Sequence, residues 1–66
     1  MNAQPFRPRD GDYVMNFPQE RPGDKQTARD VMKRNGCKAI RFQLDRGTLI
    51  AHGYIGRIEG AEVEEL

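Results

Sequence analysis

Two apolar runs, KAIRFQL and TLIAHGYIGRIE, are separated by only Asp45-Arg46-Gly47. Strand-favouring residues on both sides of a glycine-containing turn signal read as a β-hairpin. This constrains the chain strongly, because a lone hairpin is marginal in water and needs further strands or a helix on its apolar face. A three-residue loop with glycine in third place fits a type I turn closed by a bulge. That loop sets Leu44 opposite Thr48, Phe42 opposite Ile50 and Ile40 opposite His52. Ile40, Phe42, Leu44 and Ile50 are then expected on the core face, with Arg41, Gln43, Leu49 and Ala51 on the other. The second run has twelve residues and would reach about 40 Å if extended, too far for a small flat sheet. Gly53 is the expected corner, because glycine inside a strand marks a bulge, a bend or a close approach. Residues 54–59 would then swing toward residues 12–17.

The remaining elements must cover that ribbon. DYVMNF, residues 12–17, alternates Tyr13, Met15 and Phe17 against Val14 and reads as a first strand ended by Pro18. PQERPGD, residues 18–24, is a loop. A helix follows, started either by Thr27 with Asp30 as a capping pair or earlier by Asp24, and stopped by Asn35-Gly36. At 100° per residue Ala28, Val31 and Met32 share an apolar arc, while Lys25, Arg29 and Lys33 line a neighbouring one. The fold expected is an α+β domain with one helix packed on a three- to four-stranded antiparallel sheet, in the order β-α-β-β. Residues 1–11 read as a flexible arm and 12–60 as the domain. Residues 61–66 read as an acidic tail or a short terminal strand around Ala61 to Val63.

At 66 residues only one small core is available, and 36% of residues are hydrophobic against 32% charged. One cysteine excludes an internal disulfide, and one histidine with it cannot build a zinc site unaided. No apolar run approaches the roughly 18 residues that span a bilayer. MNAQPFRPRD lacks the apolar core of a secretory leader, so a cytoplasmic location is the expectation. The formal charge of +1 conceals an asymmetry: residues 1–58 carry all 11 basic side chains, while Glu59, Glu62, Glu64 and Glu65 close the chain. A basic body beside an acidic tail suits an anionic partner, with the tail as a competitor for it.

Catalytic readings fail on spacing. Cys37 and His52 are the sole thiol–imidazole pair, and the expected register puts them about 10 Å apart on opposite faces, too far for a nucleophile and its base. Cys37 is read as a small buried residue at the helix-to-strand corner, and His52 as an edge residue at the core rim. RDGD, residues 9–12, begins like a calcium loop but lacks the later acidic ligands, so Asp10 and Asp12 are read as turn formers. No phosphate-binding glycine loop or dinucleotide fingerprint occurs. No enzymatic activity, metal or cofactor is expected.

Recognition remains. The cations Lys25, Arg29, Lys33, Arg34, Lys38 and Arg41, with Arg46, Arg57, Arg7 and Arg9 in support, form the candidate surface for nucleic acid or an acidic protein face. The alternative is a protein-binding adaptor or inhibitor acting through a sheet edge or a homodimer interface, with Leu49, Ala51 and Ile55 as its apolar patch.

The order basic helix, cysteine, strand, tight turn and a strand reading LIAH, over residues 27–52, loosely resembles small phage-encoded CRISPR inhibitors. The resemblance implies a short helix on an antiparallel sheet and basic surface residues that occupy the nucleic-acid path of a larger complex. It assigns no role to any residue.

Overall fold

A computed structural model describes residues 10–58, 60 and 62–66. Its elements are β1 (Tyr13–Phe17), α1 (Asp24–Arg34), β2 (Ala39–Asp45), β3 (Thr48–Tyr54) and β4 (Val63–Glu65). The sheet is antiparallel throughout, in the order β1-β3-β2-β4, so the α+β class read from the sequence is the one observed.

The hairpin differs from expectation by one residue, with wide consequences. Asp45 pairs with Thr48, leaving a two-residue loop in which Arg46 (φ 51°) and Gly47 (φ 82°) are both left-handed. Positive φ at both central positions is a type I′ turn, whose twist matches that of the flanking strands. The pairs become Leu44–Leu49, Phe42–Ala51 and Ile40–Gly53. A slip of one residue exchanges the two faces of a strand. Leu49 (2% exposed) and Ala51 (0%) therefore join Ile40 on the helix side. Ile50 turns to the opposite face with Arg41 and Gln43.

The helix starts earlier than a cap at Thr27 would require. Gly23 is left-handed (φ 92°), the Thr27 N–H donates to the Gly23 carbonyl, and the Asp24 carboxylate accepts from the Arg21 N–H at 2.7 Å. Asp24 also places negative charge at the positive end of the helix dipole. The other end closes as a Schellman motif, with Cys37 N–H donating to Met32 O and Gly36 N–H to Lys33 O. Its apolar contact is Cys37 Sγ against Met32 Sδ at 4.0 Å. Ala28 and Met32 are buried and meet Cys37, Ile40 and Ala51, with Met15, Phe17, Phe42 and Leu66 packed around them.

Gly53 is a close-approach glycine rather than a corner leading to residues 12–17. A Cβ built there would lie 2.3 Å from Met32 Sδ and 2.8 Å from Cys37 Sγ. β1 pairs with residues 49–53 of β3, and the strand ends at Tyr54. Beyond it the chain crosses β2 to reach β4, which runs parallel to β3. Right-handed crossovers put this connection and α1 on opposite faces of the sheet, since the strands they leave run in opposite directions. The lining of a cavity agrees: Arg57, Ile58 and Gly60 of the connection face Ala39, Val63 and Glu65 of the helix-free side. The terminal strand is observed at 63–65 rather than around 61–63, and residue 61 lies outside the described residues, as does the arm through residue 9.

Candidate anion-binding surface

The helical row lies along the β2–β4 side of α1. Lys25 Nζ and the Arg29 guanidinium sit 5.5 Å and 5.3 Å from the centroid of the Phe42 ring. Cations over an aromatic face are attracted by its quadrupole, and their alkyl stems shield the half-buried ring. Arg29 is further held by Glu64 of β4, with Nε donating to Oε1 at 3.2 Å and an Nη to Oε2 at 3.4 Å, and it also donates to Gln26. Glu64 of the acidic tail thus occupies the middle member of the row. Gln26 in turn donates to Asp30, on the exposed side of the helix.

Arg41 does not join the helical row. Its alternation along β2 sends it to the helix-free face, where Nε donates to the Tyr54 hydroxyl at 3.0 Å. Tyr54 is fully buried, so the bond positions a cation against a fixed phenol. Leu49 and Ala51 are inside the core and cannot form the apolar patch expected of them; only Ile55 of that trio is exposed, at 42%. The reason is the hairpin register already described.

Lys33, Arg34 and Lys38 remain exposed around the end of α1, and among the described residues none of them forms an ion pair. Lys38 connects this group to a second cation. The Lys38 N–H donates to the Tyr54 carbonyl, the Leu66 N–H donates back to the Lys38 carbonyl, and Lys38 lines a cavity that Arg57 also lines. That cavity has a volume of about 610 Å³, and its wall includes Ala39, Ile58, Val63 and Leu66, with Glu65 as the one acidic side chain among the described lining residues. Its size is within the range of small-ligand pockets. Two cations 19 positions apart in sequence are therefore brought to one groove by the β3–β4 crossover. Sequence periodicity could list Arg57 among the cations, but only the topology could place it beside Lys38.

The thiol and imidazole lie on opposite faces of β3. Cys37 is buried against Met32, and burial first, then the nearby Asp12 carboxylate, raise its pKa above the ordinary value. Such a thiol holds its proton and is a poor nucleophile. His52 is on the central strand, 4% exposed, rather than at the edge expected of it. The Gly11 N–H donates to its Nδ1 at 3.1 Å. This fixes the neutral tautomer with the proton on Nε2, which donates to Gln43 Oε1 at 3.1 Å. Burial first and the Arg41 cation second lower its pKa, against an opposing effect of Asp10. Nδ1 thus holds the entry to β1 on the sheet, while Nε2 ties the ring to β2. Asp12 has a similar task, accepting from the Ile55 N–H at 2.9 Å. Among the described residues no group of three or more histidine, cysteine or acidic side chains could hold a metal, and no helix is long and apolar enough to cross a membrane.

No protein-family model, curated protein or solved structure matches the chain.

Proposed function

We propose that the protein is a small binding module that seats an anionic group of a partner between Lys38 and Arg57. Lys33 and Arg34 extend the positive surface along the end of α1. The observation that carries this reading is the shared cavity of Lys38 and Arg57. Nucleic acid is the favoured partner, because repeated phosphates reward several cations spread over one surface. Ile58, Val63 and Leu66 in the same lining offer apolar contact for a base or sugar beside the phosphate. Arg29 is a reserve cation, held back by Glu64. Binding of this type would allow the module to occupy the nucleic-acid path of a larger complex, the role that the resemblance to small CRISPR inhibitors implies.

A gel shift with a short single-stranded oligonucleotide tests the reading. Lys38→Glu with Arg57→Glu is expected to weaken binding at least about tenfold, since each reversal replaces a phosphate contact with repulsion. Lys25→Glu, away from the cavity, is expected to cost much less. Equal losses for the two variants, or no retardation of the wild type, would refute the site.

A further inference from the structure

The two outer strands of the sheet are guarded differently. β4 is three residues long and carries Glu64 and Glu65. Short, charged edges are how proteins prevent strand-to-strand association. β1 is five residues long, YVMNF, with no charged side chain, and it pairs only through its β3 side. Among the described residues no hydrogen bond leaves its outer edge. Tyr13 and Val14 at that edge are 45% and 49% exposed. An uncharged edge of free amides and carbonyls is a template for another strand.

We propose that the occupant is β1 of a second copy, antiparallel about a twofold axis at Met15, giving one continuous eight-stranded sheet. The register follows from the faces. Tyr13, Met15 and Phe17 share the helix face with their β3 partners Gly53, Ala51 and Leu49, while Val14 and Asn16 share the other with His52 and Ile50. Residues directly opposite in a sheet share a face, so odd positions must meet odd and even must meet even. Centring on Met15 is the register that satisfies this with all five residues paired. It sets Tyr13 opposite Phe17 of the second copy, Val14 opposite Asn16, and Met15 opposite its own equivalent. Tyrosine–phenylalanine pairs across strands are favourable, and no like charges meet within the five pairs. The same pairing between two β4 edges would bring glutamates together. The β1 contact is short, about 17 Å of strand, so the dimer is weak and fills only at high concentration. It is independent of the anion site, which lies toward β4.

Sedimentation equilibrium of the full chain tests this. The mean mass is expected to rise from monomer toward dimer between about 10 μM and about 1 mM. Val14→Lys with Asn16→Lys, both at exposed positions, sets cations directly opposite each other and is expected to raise the dissociation constant at least about tenfold. Thermal melts of the dilute variant check that it folds. Mixing it with Val14→Glu/Asn16→Glu is expected to restore a dimer, now of unlike chains. A wild type that stays monomeric at about 1 mM overturns the proposal. So does a dimer that survives in the lysine variant, or unlike variants that fail to associate although each is folded. The Lys38→Glu/Arg57→Glu variant is expected to dimerise as the wild type does, and its failure to do so would merge the two surfaces and overturn their independence.

Discussion

Replacing Gly53 with alanine probes how closely α1 sits on the sheet. The new methyl would begin 2.3 Å from Met32 Sδ and 2.8 Å from Cys37 Sγ, whereas ordinary contact starts near 3.4 Å. Met32 must then withdraw by about 1 Å in an interior that is already close-packed. A methionine at a surface would swing aside cheaply, but Met32 is 1% exposed and Cys37 5%. Overpacking of this kind costs about 1–3 kcal/mol. Alanine recovers roughly 0.5–1 kcal/mol from its lower chain entropy in a strand. The net loss is expected to be about 1 kcal/mol, a large share of what a domain this small holds. In a thermal melt it corresponds to a fall of roughly 4–8 °C in Tm. Met32→Ala alone leaves a cavity and costs about 2–5 kcal/mol. In the double variant the Gly53→Ala methyl enters that space, so the two losses should fall short of their sum by about 1 kcal/mol or more. A Gly53→Ala variant as stable as the wild type, or strictly additive losses, would refute the close approach.

Further outcomes follow from the same geometry. Arg46 holds a left-handed φ of 51° that asparagine tolerates better, so Arg46→Asn is expected to add about 0.5–1 kcal/mol in urea denaturation, with an unchanged m-value. His52 is neutral in the fold and its pKa is lowered from 6.5, so the unfolded chain takes up the proton first as pH falls. Its contribution is complete above about pH 6.5 and declines below it until the folded pKa is passed, whereas His52→Gln should flatten that part of the stability–pH curve. Glu64→Ala releases Arg29, and oligonucleotide binding measured by anisotropy is expected to strengthen about threefold. The exposed ion pair costs at most about 1 kcal/mol when lost. Adding Arg29→Ala should abolish the gain, and a gain that persisted would assign it to general charge instead.

The class of fold was legible because its signals are local. Asn35-Gly36 marks the helix stop, Pro18 follows the first strand, and alternation marks β1 and β2. The hairpin register was not, since Asp-Arg-Gly suits a three-residue loop as well as a two-residue one. Only packing against α1 decides that Leu49 and Ala51, rather than Ile50, face inward. This choice removed two residues from the expected interface and moved Gly53 from corner to contact point. Arg41 separated from the helical cations for a related reason, as it is on the far face of the strand that covers them. Glu64 and Arg29 are 35 positions apart, and Lys38 and Arg57 line one cavity only because of a crossover. Such pairings have no periodicity to betray them.

The salt dependence of oligonucleotide binding tests the proposed Lys38–Arg57 site most directly. If both side chains neutralise phosphates, replacing each with glutamine should reduce the slope of log affinity against log salt by about 0.7 per position on a single strand. The pair should therefore lower it by roughly 1.4, while the melt stays that of the wild type. An unchanged slope, whatever the affinity, would mean that no phosphate lies between these two cations.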